Sequence, residues 1–528
     1  MKHNIDQTLL LGLTAHKEGK IQEAEQFYLS ILKTNPNHPE TNHNLGIIKA
    51  ATNNLAAALP LFKIAIEANP KVEQFWISYI NLLINKKEFV EAEENFRKAI
   101  TIIPNSPVIY NNLGGILYTL HRLEESEKSY KKAIKLKPDY AQPYNNLGVV
   151  LYELGKMEES EKSYKKAIKL KPDYIEAHSN LAAVLSEIGK LELAEASCKK
   201  AILLNQAFYK VYCTLGYVQK EMGKLEEAEN SFRKAIELKP NYIDALIGRG
   251  QILFDKGEFE LSLKDFDSCN TPDSRARALV ALYGLKRIEE IYQRITVNAV
   301  LDAENLKVSA FSSFISNKEK KDTKHNFCKN PLDFLYFSNI SSHLKDSNLF
   351  INEVIEELRN NVKLRWEPLG KTTRKGFHSG GKIDLFINPP ENICKLQSII
   401  INELELYYLK FKDQSCSYIK KWPAKKKIRG WHVLLKEQGY QTPHMHASGW
   451  LSGVIYLKVV PPLEKNEGAI ELSLNGEHYF DANSPKVIFE PKVGDIVFFP
   501  SSLHHRTIPF TANSDRMVIA FDLDPNKS

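Results

Sequence analysis

No apolar run in this chain approaches the roughly 20 residues that a membrane-spanning helix needs, so no membrane partner is expected. The short apolar segment 9–13 has neither a basic leader nor a small-residue cleavage site, and it reads as a helix rather than a signal peptide. Cysteine is sparse: Cys198, Cys213, Cys269, Cys328, Cys394 and Cys416 are scattered, with no Cys-x-x-Cys spacing. That excludes a zinc or disulfide framework and makes the reducing cytoplasm the expected compartment. Charge imbalance is also scarce, at +7 over 528 residues. The densest basic run, 420–429, reads as a solvated loop before a strand, so nucleic acid is not an expected partner.

What the chain does have is length, with the 43% hydrophobic and 26% charged content of a soluble globular protein. At 528 residues it exceeds one ordinary core and calls for two or three domains. Its first half is periodic. Pro36, Pro70, Pro104, Pro138 and Pro172 follow one another at 34 residues, and Pro240 falls two periods later. Small residues keep the same step in two columns: Gly12, Gly46, Gly114, Gly148, Ala182, Gly216 and Gly250, then Ala24, Ala58, Ala92, Ser126, Ser160, Ala194, Ala228 and Ser262. Residues 126–140 recur unchanged at 160–174.

Each period holds two amphipathic helices, with apolar residues at helical spacing such as Leu147, Val150 and Leu151. The small columns let the paired helices approach, and the proline closes one unit before the next begins. Over about residues 5–275 this resembles the tetratricopeptide repeat (TPR) family, which implies a right-handed superhelix whose concave groove commonly binds peptides. Asn44, Asn112, Asn146 and Asn180 stand two residues before the small position. A carboxamide both donates to and accepts from a peptide backbone, and related arrays form such a ladder along a bound chain. These four residues are the candidate contacts for a protein or peptide ligand; tolerance of Asn on a solvated helix face is the alternative.

After about residue 270 the period is lost. Residues 274–294 read as a capping helix, and the polar, lysine-rich 317–331 reads as a linker. Residues 344–359 and 391–411 read as amphipathic helices flanking a weak strand at 382–387. From Arg429 the pattern turns to short β-rich runs broken by Gly, Pro and Asn, as in a sandwich or closed roll.

Within those runs, His444 and His446 flank Met445, and side chains two apart on an extended chain share a face. The strand-like 494–500 precedes His504 and His505, one of which supplies a third imidazole; Arg516 opens the last apolar strand. The segments 439–446, 449–457 and 499–505, with Pro509 and Arg516, resemble the iron(II)/2-oxoglutarate oxygenases related to prolyl 4-hydroxylases, over about residues 325–528. The resemblance implies a double-stranded β-helix (jelly roll) that holds Fe(II) and uses 2-oxoglutarate and O₂, with substrate hydroxylation as the outcome. It makes His444 the first metal ligand, and His505 the distal one because Pro509 and Arg516 follow at the family's spacing. Arg516 then pairs with the distal carboxylate of 2-oxoglutarate, a task suited to a guanidinium fork. Tyr456 is a candidate hydrogen-bond partner of the cosubstrate, with a buried core tyrosine as the alternative.

One departure stands out: the usual triad is two histidines and a carboxylate, and His446 occupies the carboxylate's place. Either three imidazoles bind the metal, or Glu471 or Asp522 substitutes, or His444 and His505 are the only protein ligands. The expected architecture is α+β and multidomain: a TPR superhelix over 1–275, a capping helix and linker over 276–330, and a jelly roll with flanking helices over 331–528. The expected activity is an iron- and 2-oxoglutarate-dependent dioxygenase acting on a protein or peptide presented by the array. The alternatives are an interaction scaffold with a silent β-roll, or a cupin-like enzyme with three metal-binding histidines.

Overall fold

Each 34-residue period folds into two antiparallel helices, as in Ala141–Glu153 and Met157–Leu170 of the computed structural model, which describes residues 2–362, 364–367, 371–379 and 384–525. The chain forms two compact units, one ending at Leu181 and one beginning at Ala182. In the first unit the small columns mark where paired helices cross. A Cβ on Gly148 would stand 2.6 Å from Cε1 of Tyr164, and one on Gly114 would stand 2.7 Å from Tyr130. Ser126 and Ser160 sit at the same crossings and donate their hydroxyls to the carbonyls of Gly114 (2.7 Å) and Gly148 (2.6 Å). The aromatic partners form a column of their own, in which Tyr28, Phe62, Phe96, Tyr130 and Tyr164 are all buried. Large ring against missing side chain is close packing at its most economical, since neither helix then leaves a void.

In the second unit the array continues with the first helices Tyr209–Glu221, Ile243–Asp255 and Pro272–Gly284 and the second helices Leu225–Leu238, Phe259–Cys269 and Ile288–Val297. The period fades after 270, yet helices persist for local reasons. Thr271 and Ser274 form a reciprocal capping box with Pro272 at the first helical position. Asn305 caps a further helix, Leu306–Glu319. The segment read as a linker packs closely: Phe327 and Cys328 are buried, and the His325 ring bonds the Asp302 carbonyl at 2.8 Å.

The strands are β1 (Tyr336–Asn339), β2 (Arg365–Trp366), β3 (Thr373–His378), β4 (Ile428–His444), β5 (Leu451–Lys458), β6 (Ile470–Ser473), β7 (Lys486–Phe489), β8 (Asp495–Pro500), β9 (His504–Thr507) and β10 (Arg516–Leu523). They pair antiparallel in the order β1-β8-β5-β10-β4-β9-β6-β7, with β3 also on β4. β4 is shared by two runs of strands: its first half pairs with β10, in the run β1-β8-β5-β10, and its end, at Gln441 and His444, pairs with β9, in the run β9-β6-β7. This is the interleaving of a jelly roll. The change of sheet occurs in a bulge. The β3–β4 register skips residues 436–439, Gln438 has φ 59°, and a Cβ on Gly439 would meet the Lys436 carbonyl at 2.5 Å. Residues 436–439 thus form a bulge inside one 17-residue strand.

Both faces of the first sheet are covered, which is why β5 and β10 are buried along nearly their whole length. Met517, Ile519, Phe521 and Leu523 face outward into a core shared with the helices Ser347–Asn361 and Glu391–Phe411. Val518 and Ala520 face inward, in a core that extends to Phe266, Leu279 and Phe311 of the array. Of the strand expected at 382–387, the first two residues lie outside the described residues, and 384–387 form a turn with Leu385 and Phe386 buried.

Tyr479, between β6 and β7, packs on Phe311 (centroids 5.1 Å apart) and Phe314 (4.7 Å). Phe311→Ala should therefore destabilise the second unit by about 3–5 kcal/mol. Chemical denaturation followed by circular dichroism and by tryptophan fluorescence checks this, since four of the five tryptophans (Trp366, Trp422, Trp431, Trp450) lie in the roll. The fluorescence transition is expected to shift with the mutation, and an unmoved one contradicts the shared core.

Candidate metal centre

The bulge in β4 delivers His444 directly opposite His505 of β9. Their ring centroids are 4.2 Å apart, and the His446 ring, two residues past His444, lies 5.3 Å from the first and 4.9 Å from the second. The nearest ligand atoms of the three all fall within 4.8 Å of one another, a grouping met nowhere else among the described His, Cys, Asp and Glu residues. His504 turns away, its ring 5.6 Å from Tyr479. His505 is thus the histidine of that pair that joins the cluster.

Hydrogen bonds settle which nitrogens are available. Nδ1 of His444 lies 2.7 Å from the Thr442 carbonyl, and Nδ1 of His446 lies 2.7 Å from Oδ1 of Asp522. Carbonyl and carboxylate oxygens only accept, so both Nδ1 atoms carry a proton, and Nε2 is the nitrogen through which each ring would meet a metal. Burial first, and the neighbouring His446 second, pushes the pKa of His444 down to about 3; burial likewise holds His505 well below its ordinary value. Two neutral imidazoles facing a third across a few ångströms form a donor set that fits iron, copper, nickel or zinc.

The carboxylates weighed as substitutes sit elsewhere. Glu471 receives a two-pronged bond from Arg506, at 2.9 and 3.0 Å. Asp522 lies behind His446, where it also accepts from Ser452 Oγ at 2.7 Å, and Ser452 in turn meets Ser501 at 2.8 Å. A carboxylate bonded to the far nitrogen of an imidazole fixes the ring's orientation and raises its basicity toward a metal.

Arg516, Val518, Ala520 and Asp522 alternate along the inner face of β10. Arg516 is only 2% exposed, and its Nε donates to the Gly468 carbonyl at 3.1 Å. Its Cζ stands 5.0 Å from the Tyr456 ring centroid, and no carboxylate partners it among the described residues. Burial lowers its pKa. The buried Tyr456 hydroxyl has no acceptor for its proton among the described residues. A sequestered, uncompensated cation is costly, and an anionic ligand removes that cost.

Sequence reading did not anticipate Trp431 and His378 beside the cluster. Trp431 sets its edge to His446 at 5.2 Å, and His378 stacks on Trp431 at 6.4 Å. β3 brings His378 opposite Val433, and residues 371–379 carry no apolar alternation that would have revealed the strand. In the first unit, Asn146 Nδ2 donates to Asn111 Oδ1 and Asn180 Nδ2 to Asn145 Oδ1, each at 3.1 Å. Oδ1 of Asn112 accepts from Asn111 at 3.2 Å, while Asn44 is half-buried on the Pro39–Ala51 helix. The expected ladder is therefore cross-linked from helix to helix.

Asp522→Ala should lower metal affinity by roughly 10–100-fold through loss of the His446 anchor. Titration of the apoprotein with Co(II), read by its visible absorption, measures this; unchanged affinity contradicts the positioning role of Asp522.

Residues 429–522 match a family model described as "Putative 2OG-Fe(II) oxygenase". Residues 9–38, 43–107, 116–155, 150–189, 175–208 and 209–242 match models of the tetratricopeptide repeat. Among solved structures, the chain is similar to YrrB, titled a TPR protein with an unusual peptide-binding site, at 25% identity over 36% of this chain and 97% of that one, with TM-score 0.30. MamA matches at 24% identity over 34% and 97%, with TM-score 0.28. PilF of Pseudomonas aeruginosa matches at 18% identity over 39% and 97%, with TM-score 0.35. No curated protein matches the chain. The protein joins an array of tetratricopeptide repeats to a C-terminal region, 429–522, that matches the model described as "Putative 2OG-Fe(II) oxygenase".

Proposed function

We propose that the protein is an Fe(II)- and 2-oxoglutarate-dependent dioxygenase that hydroxylates a protein or peptide presented by its repeat array. The observation that carries this reading is one inner surface bearing both a metal-binding donor set and a buried guanidinium without a carboxylate partner. His444, His446 and His505 would hold the iron, which when bound supplies the oxidising chemistry that couples O₂ and 2-oxoglutarate to hydroxylation.

The protein's own groups do the rest. Arg516 would pair with the distal carboxylate of 2-oxoglutarate, and Tyr456 would supply a hydroxyl donor beside it. Asp522 holds His446 in the tautomer that presents Nε2, and the apolar residues of the inner sheet face exclude water from the reacting atoms. On the array, Asn112, Asn146 and Asn180, with Asn44 before them, retain hydrogen-bonding capacity beyond their own bonds and take the backbone of an extended ligand.

No helix among the described residues is long and apolar enough to cross a membrane, and six free cysteines suit a reducing cytoplasm. A cupin-like three-histidine enzyme shares the donor set but leaves Arg516 without a partner. A silent scaffold explains neither feature.

Succinate release from 2-oxoglutarate in the presence of Fe(II) tests the activity, and His505→Ala should abolish it. Arg516→Ala should weaken 2-oxoglutarate binding by about 2–5 kcal/mol, the cost of truncating one partner of a buried charge pair. Calorimetry on the anaerobic protein measures that loss, and bound iron should stay near the wild-type level. Equal loss of iron and cosubstrate contradicts the role given to Arg516.

A further inference from the structure

A cavity of about 250 Å³ opens beside the imidazole cluster, with His444 itself in its wall. That volume equals about eight water molecules' share of the liquid, too little for a folded partner but enough for one large side chain. Pro443, Met445 and Tyr479 of the roll form one side. The other side is helical: Phe254 on Ile243–Asp255, Arg277 and Val280 on Pro272–Gly284, and Lys307 at the start of Leu306–Glu319. The first helices of the last repeats thus face the metal centre within one compact unit.

The charges on the helical wall are out of balance. Arg277 Nε donates to Asp273 at 2.7 Å, and Lys307 bonds the other oxygen of the same carboxylate. A further Arg277 nitrogen donates to the Gln251 amide oxygen, which is neutral. Two cations therefore share one anion, and both stay partly open to the cavity, at 30% and 37% side-chain exposure. Across the gap, Glu477 is 71% exposed and meets only the His478 ring, at 3.8 Å. Apolar groups line the space between, and His478 packs on Phe254 at 5.1 Å.

We propose that this cavity admits an apolar side chain of a protein segment whose neighbouring acidic residue is held by Arg277 and Lys307. The proposal rests on the reading of the imidazole cluster as the reaction centre. It makes the last repeats part of the enzyme's specificity pocket. A protein segment suits the site because an open cavity of this volume takes about one large side chain and leaves the substrate's remainder outside it. Beyond the cavity, Tyr217, 39% exposed, donates its hydroxyl to the Asp244 carbonyl at 2.9 Å. A free apolar acid shares the chemistry of a bound segment and is separated from it by the test.

The test uses the full chain and fluorescent nonapeptides with a central Leu or Phe flanked by Glu or by Lys, alongside the N-acetylated single amino acids. Binding is read by anisotropy without iron or 2-oxoglutarate, so that failure of the oxygenase reading shows separately, as absence of succinate. The wild type should bind the Glu peptides at least about tenfold more tightly than the Lys peptides. Lys307→Gln and Arg277→Gln should each erase most of that preference, and Arg277→Glu should turn it toward the Lys peptides. Lys307→Gln touches a half-exposed side chain, so it remains informative if the arginine variants unfold. Equal binding of both peptide sets, a preference indifferent to both neutralisations, or binding of the single amino acids in place of the peptides overturns the proposal.

Discussion

One register pair, His444 against His505, governs the β-roll. It exists because β4 bends within 436–439 and leaves the first sheet to pair with β9 in the second. A straight β4 would keep His444 alongside β10, and the imidazoles would belong to different faces. The bend is local chemistry: Gln438 accepts a left-handed backbone, and Gly439 tolerates the Lys436 carbonyl where a side chain could not fit. A short stretch of permissive backbone therefore underlies the whole donor set.

The same inner face carries polar groups that apolar packing alone would not choose. Asp522 and Arg516 are nearly fully buried on β10, with Val518 and Ala520 between them. The Asp522 charge is met by the His446 N–H and the Ser452 hydroxyl, so its burial is compensated within the fold. Among the described residues, Arg516 is compensated by a carbonyl and the face of an aromatic ring, which is weak provision for a full charge. A sheet that tolerates such an imbalance is organised around a ligand rather than around its own stability.

Much of this was legible beforehand, and the failures have physical causes. The 34-residue period revealed the repeats because each unit reuses the same helix crossing. The aromatic column of Tyr28, Phe62 and Tyr130 escaped notice although it faces the small residues, since rings also occur elsewhere on the helices. The pairing of His444 with His446 on one face followed from the strand pattern, while His505 and Arg516 were singled out by the oxygenase resemblance; Asp522 was weighed only as a ligand, and its place behind His446 depends on pairing between distant strands. The sequence period is lost near 270, whereas the helix pairs continue to Ile288–Val297 and the core runs on from Phe266 through Phe311 into the roll. No sequence window contains Phe254, Arg277 and His444 together, so the cavity they line appeared only with the fold.

The central claim is that one site binds iron through three imidazoles and 2-oxoglutarate through Arg516. Anaerobic titration of the protein with Fe(II), then 2-oxoglutarate, addresses it directly through visible absorption. Chelation of the cosubstrate to iron should produce a charge-transfer band that saturates at one equivalent and is missing in His444→Ala. Tight iron binding with no such band at any cosubstrate concentration would contradict the account.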